Sequence, residues 1–128
     1  MKEELEKQLF DKYPKIFRQK DLGMHETCMC WGIACGDGWY PFIDELCSII
    51  QKYIDEQKIE QIEAVQVKEK FGRLRFYTNY YDEQIEKFIA EAEKKCYTVC
   101  EICGSTEDIR PTKGWISYLC KTCRVERS

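Results

Sequence analysis

The stretch Val65-Gln66-Val67-Lys68-Glu69-Lys70-Phe71-Gly72-Arg73-Leu74-Arg75-Phe76-Tyr77-Thr78 decides how the rest of the chain must be arranged. Before it, apolar residues recur every three or four positions; across residues 63–79 they alternate. Val65, Val67 and Phe71 fall on one side with Lys68 and Lys70 on the other. Beyond Gly72, Leu74, Phe76 and Thr78 stand against Arg73, Arg75 and Tyr77. The pattern predicts two antiparallel strands turning at Phe71-Gly72-Arg73, with one face for a core and one bearing Lys68, Lys70, Arg73, Arg75 and Tyr77. With Glu69 as its only acid the hairpin carries +3, and Tyr77 adds a ring suited to stacking on a base. The plainer reading of that face is a solvated strand surface partly neutralised by nearby Glu side chains.

A bare hairpin is marginal in water, so helices must cover its apolar face. Upstream, Trp39, Phe42, Ile43, Leu46, Cys47, Ile50, Tyr53 and Ile54 recur at helical spacing to about residue 57, with Pro41 suited to a first turn. Downstream, Asp82 offers a cap to a helix carrying Ile85, Phe88, Ile89, Ala92 and Cys96. Leu5, Leu9 and Tyr13 mark a short helix over residues 3–13 that Pro14 closes, and Ile16 and Phe17 follow it into the core. A third strand is expected within residues 24–34. The fold class is therefore α+β: helices packed on a small antiparallel hairpin or sheet, residues 1–96, followed by a separate unit over residues 97–128.

That unit is announced by Cys100-Glu-Ile-Cys103 and, after the sixteen residues from Gly104 to Leu119, Cys120-Lys-Thr-Cys123. Each two-residue spacing lets a tight turn converge two thiolates on one tetrahedral ion, so Cys100, Cys103, Cys120 and Cys123 are expected to hold one structural Zn2+ in a zinc ribbon or treble-clef-like finger. Residues 109–111 and 115–119 suit a short hairpin around Lys113-Gly114, with Trp115 and Leu119 beside the metal. Five basic and four acidic residues lie between Tyr97 and Ser128, and four thiolates with one Zn2+ add a further −2. A closed, nearly neutral finger without histidine reads as a staple and a poor phosphate binder.

The segment between His25 and Trp39 concentrates Cys28, Cys30, Trp31, Cys35 and Gly36-Asp37-Gly38 without periodicity, and reads as a structured loop with Asp37 placed to cap the next helix. Three readings stay open for His25, Cys28, Cys30, Cys35 and Cys47: buried thiols in packing, a second metal site, or a reactive thiol in a small enzyme or redox protein using the Cys28–Asp37 loop. Trp31, Asp37 and Trp39 form a second candidate surface. Glycine-rich phosphate loops are absent, since Gly36-Asp37-Gly38 lacks the Lys-Ser/Thr ending of a P-loop.

A net charge of −3 excludes a globally basic nucleic-acid binder, so any anion site must be local. No run approaches the ~20 apolar residues of a membrane span, and Met1-Lys-Glu-Glu-Leu-Glu6 lacks the apolar stretch of a secretory signal. An odd count of nine cysteines with paired spacing favours reduced thiols and metal, hence the cytoplasm. Aromatics that a small core leaves uncovered would be satisfied by a homodimer.

Through Cys35-Gly-Asp-Gly-Trp39, Leu46-Cys47, Val65 to Tyr77, Cys100-x-x-Cys103-Gly104, Gly114-Trp115 and Leu119-Cys120, nearly the whole chain resembles a family of small proteins encoded by tailed phages and prophages. In some members the last ligand is a histidine where this chain has Cys123. The resemblance implies a setting, the cytoplasm of a bacterial host, and an accessory role. That role is a non-enzymatic zinc-binding protein recognising a host protein, a nucleic acid or a nucleotide signal.

Overall fold

Four helices and two small sheets order residues 1–127, which the computed structural model describes, into an α+β fold. In chain order they are α1 (Glu3–Lys12), β1 (Ile33–Ala34), α2 (Tyr40–Gln57), β2 (Ala64–Lys70), β3 (Arg73–Thr78), α3 (Glu83–Lys94), β4 (Arg110–Pro111), β5 (Tyr118–Leu119) and α4 (Lys121–Arg127). The first sheet has the order β1-β2-β3 and the second pairs β4 with β5.

The alternating stretch forms β2 and β3, paired antiparallel with Val67 opposite Phe76, Lys68 opposite Arg75 and Lys70 opposite Arg73. Phe71 and Gly72 make a two-residue turn with φ of 54° and 79°, the doubly positive geometry that matches the twist of a hairpin. Two expectations need correction. Phe71 belongs to the turn and is 64% exposed, so it does not join the core. An irregularity in register between Ala64 and Gln66 places a bulge at Val65, so Ala64 and Val67 are both buried while Val65 is only half-buried.

The third strand exists, but only as Ile33–Ala34, and it runs parallel to β2 with Ile33 opposite Val67. The sheet is therefore mixed, not purely antiparallel. The outer edge of β1 is closed by α1: a Glu6 carboxylate oxygen accepts the Ile33 N–H at 2.6 Å. The same carboxylate fills the space above Gly32, whose φ is +73°. On the opposite edge the Leu74 N–H is taken by the Cys96 sulfur at 3.1 Å. Both contacts satisfy strand groups that would otherwise offer an open edge.

The apolar face of the sheet carries α2 and α3. Phe42, Ile43, Leu46, Cys47, Ile50 and Ile54 of α2 are buried, as are Ile85, Ile89 and Ala92 of α3, and the two helices meet edge-to-face at Tyr53 and Phe88, 5.7 Å apart. Each large aliphatic side chain so buried contributes about 1.5–3 kcal/mol. Leu9, Ile16 and Phe17 complete the core from the N-terminal side. Asp82 caps α3 by accepting the Ile85 N–H at 3.0 Å. Asp37 does not cap α2; its carboxylate accepts the Lys2 N–H at 2.8 Å, at the start of α1, and α2 begins from Trp39 with Pro41 in its first turn. A second, smaller apolar cluster gathers Cys100, Leu119, Cys120 and Cys123 with Ile109.

Candidate metal centre and basic sheet face

Cys100 opens a tight knuckle in which the Gly104 N–H donates to the Cys100 carbonyl at 2.9 Å, with Gly104 at φ +81°. The chain then makes the β4–β5 hairpin and enters α4. Cys120 immediately precedes that helix and Cys123 lies in its first turn. A knuckle and a helix start that supply one pair each, with a hairpin between them, make the finger treble-clef-like and not a ribbon. The four sulfurs lie within 4.8 Å of one another, and Cys103 and Cys120 are 3.6 Å apart. A tetrahedral ion with metal–sulfur bonds of about 2.3 Å would set its sulfurs ~3.8 Å apart, so the donor set fits one metal ion.

The electrostatics of the thiols agree. Burial opposes ionisation of Cys100, but the backbone groups of Cys103, Cys120 and Ile102 aimed at its sulfur outweigh it and bring the thiol to about 7. The Ser105 backbone favours the Cys103 thiolate, yet burial and the neighbouring Cys100 and Cys120 hold it above its ordinary value. Cys123 is pushed up by burial and by the other three sulfurs. Four thiolates in this space repel one another unless a cation sits among them.

Arg124 locks the finger from within. Its guanidinium donates to the carbonyls of Asp108 and Leu119 at 2.6 and 2.7 Å and to the Asp108 carboxylate at 3.0 Å. Leu119 is fully buried beside the sulfurs; Trp115, expected there as well, is instead 73% exposed.

The Gly36-Asp37-Gly38 loop is the seat on which the knuckle rests. The Gly38 N–H donates to the Glu101 carbonyl at 2.8 Å, and the Gly36 N–H donates to the Glu101 carboxylate at 3.0 Å. A side chain at Gly38 would drive its Cβ into the Cys100 carbonyl, to within 2.5 Å of the Gly104 nitrogen and 2.8 Å of the Glu101 oxygen. Neither glycine is explained by positive φ; both are explained by the approach of another backbone. Burial holds the Glu101 carboxyl above its ordinary value even though the Gly36 N–H favours its charge. Glu101 was not singled out from sequence, and its only signal there was an acid inside a metal knuckle.

Of the candidate loop surface, Trp39 is fully buried, Trp31 is 68% exposed and Asp37 is engaged with Lys2. They do not form one surface. Cys35 and Cys47 are buried with their thiols pushed up by burial, while His25 and Cys28 are exposed. Among the described residues, only the four C-terminal cysteines bring three or more potential ligands together. The early cysteines form no such group among the described residues, and burial disfavours the Cys35 thiolate.

Lys68, Lys70, Arg73, Arg75 and Tyr77 do share a face, since Lys68 pairs with Arg75, Lys70 with Arg73 and Gln66 with Tyr77 across β2 and β3. Several cations elsewhere find carboxylates, as in Lys12–Asp44, Arg18–Glu63 and Lys95–Glu45, although among the described residues Lys15 and Lys58 do not. The four sheet cations have no ion-pair partner among the described residues. Glu69 lies on the opposite face, where its carboxylate accepts the Gly72 N–H at 3.1 Å. A further basic surface, hidden from a net-charge reading of the finger, is a groove of about 440 Å³ lined by Arg110, Pro111, Thr112, Lys113, Arg124 and Arg127. Among the described residues no helix is long and apolar enough to cross a membrane. No family model, curated protein or solved structure matches the chain.

Proposed function

We propose that the chain is a zinc-stapled recognition protein without catalytic chemistry of its own, which binds an anionic partner across the β2–β3 face. Its carrying observation is the set of four cations, Lys68, Lys70, Arg73 and Arg75, gathered on one sheet face with no ion-pair partner among the described residues. Cations left in that state on a chain of net charge −3 are a local field, and such fields steer and hold anions. Zinc is the ion assigned to the four thiolates because a closed tetrahedral sulfur site takes zinc or iron, and zinc serves structure without redox chemistry. In the phage setting that the sequence resembles, the partner would be a nucleic acid, a nucleotide signal or the acidic surface of a host protein.

Metal analysis tests the first half: one zinc per chain and a colourless protein are expected, and stoichiometric iron with visible absorption would refute the assignment. For the second half, the triple variant Lys70→Glu, Arg73→Glu, Arg75→Glu should keep its zinc and its melting behaviour. It should lose binding to whichever of oligonucleotides, nucleotides and acidic host proteins the wild type retains. Undiminished affinity in that variant would remove the sheet face as the site.

A further inference from the structure

The geometry points to single-stranded nucleic acid as the occupant of the basic sheet face, with the finger supplying the second half of the binding surface. This rests on the sheet face being an anion site and extends it.

The two halves are joined by contact. The Lys70 ammonium lies 5.9 Å from the centroid of the Phe71 ring, at the tip of the hairpin. Gly72, the next residue, abuts the finger so closely that a Cβ there would meet the Tyr118 ring at 2.9 Å and Ile116 at 3.3 Å. Trp115 follows Ile116 back along the chain, and its carbonyl accepts from the Arg127 guanidinium at 2.8 Å. Arg127 in turn lines the groove together with Arg110, Lys113 and Arg124. The Asp108 carboxylate is held between Arg110 at 2.8 Å and Arg124 at 3.0 Å, so the groove keeps an excess of three positive charges. These cations and the four of the sheet belong to a chain with 20 basic and 23 acidic residues, which makes the remainder of the molecule strongly acidic. Two local clusters of positive charge therefore lie on either side of the Gly72–Tyr118 contact.

Exposed aromatic rings accompany both clusters, Tyr77 on the sheet face, Phe71 at the hairpin tip and Trp115 in the finger. Tyr77, Phe71 and Trp115 are 44%, 64% and 73% exposed. Bases in a duplex stack on one another and present only their edges, whereas a single strand offers free faces to such rings. Duplex reading would need a helix or a two-stranded ribbon to enter a groove. The β2–β3 hairpin is not a free ribbon: β1 flanks β2, the Cys96 sulfur takes the Leu74 N–H on β3, and the tip at Gly72 packs on Tyr118 and Ile116 of the finger. The helix of the finger, α4, has seven residues, and two of its arginines are tied to carbonyls of the finger itself. Arginines fixed in this way are already ordered before a phosphate arrives. Contacts of this kind recognise backbone and base faces, so binding should be tolerant of sequence.

The test is fluorescence anisotropy on the zinc-loaded full chain with oligothymidylate and oligouridylate of about a dozen nucleotides, and a duplex of the same length. Four proteins are compared: wild type, Trp115→Ala, Lys113→Glu and the triple sheet variant. Single strands should bind more tightly than duplex, and Trp115→Ala should weaken them roughly five- to tenfold with zinc content unchanged. Lys113→Glu should lower both the affinity and the steepness of its salt dependence. Tighter binding of either oligomer names the strand chemistry, DNA or RNA. Wild-type affinity in both finger variants alongside loss in the sheet variant would overturn this inference and leave the sheet reading intact. A preference for duplex, or no binding of any oligomer by the wild type, would also overturn it.

Discussion

Replacing Gly38 by alanine adds one methyl group at the point where the metal knuckle sits on the core. The new Cβ would press on the backbone of Cys100, Glu101 and Gly104, and no rotamer change can relieve contact with backbone. Two hydrogen bonds share this seam, Gly38 N–H to the Glu101 carbonyl and Gly36 N–H to its carboxylate. The first is worth about 1 kcal/mol and the second, to a charged acceptor, about 1.5–3 kcal/mol. Forcing a methyl into packed surroundings costs about 1–3 kcal/mol by itself. Because the seam can yield by separating, the strain and the lost bonds overlap, and a total of about 3–5 kcal/mol is expected. For a chain of this length that lowers the melting temperature by about 10–20 °C. The four ligands all lie within residues 100–123, so zinc should remain bound at one per chain. Gly23→Ala is the control, since nothing lies within 4 Å of its Cβ position and its φ is ordinary. Thermal melts followed by far-ultraviolet circular dichroism, with zinc counted by native mass spectrometry, decide the matter. A Gly38→Ala protein that melts with the Gly23→Ala control would refute the seat, and one that loses zinc would refute the independence of seat and ligand set.

Removal of a ligand should act the other way round. Cys103→Ser, at the exposed ligand, should release zinc and lose amide protection over roughly the last thirty residues while α2 and α3 keep theirs; retained stoichiometric zinc would count against the ligand set. A third prediction concerns pH. The Arg18 guanidinium, aided by Gln19, holds the Glu63 carboxyl below its ordinary 4.5 in spite of burial. A carboxyl lowered on folding adds stability above its unfolded value, and that stability is lost as pH falls through the folded one. The gap in urea stability between wild type and Glu63→Gln should therefore be full at neutral pH and close as the pH drops below 4.5. A gap independent of pH would show that Glu63 acts by packing alone.

The features legible in sequence are those whose causes are local. Ligand spacing located the four-cysteine cluster, apolar period located α2 and α3, and alternation with a glycine located the hairpin and the face that Lys68, Lys70, Arg73 and Arg75 share. What escaped depends on partners far away along the chain. The glycines of residues 36–38 looked like turn chemistry and proved to be clearance for a backbone about sixty-five positions later. Asp37 was near a helix in sequence and caps a different one in space. Trp39, expected on a surface with Trp31, is covered completely. Val65 obeyed alternation until a bulge displaced it. The cations of the finger cancel its acids in a sum, yet the fold brings four of the five to one groove, and no count of residues can reveal such a gathering of charge.

The three tryptophans occupy two settings: Trp31 and Trp115 in water, Trp39 with no exposed surface directly behind the Gly36–Gly38 loop. Indole emission reports the polarity around the ring, so the molecule carries its own optical gauge. Lifting the knuckle from the loop would wet one indole while the other two, already solvated, serve as an internal baseline. The seating of the knuckle could then be followed in an unlabelled protein by colour of emission alone.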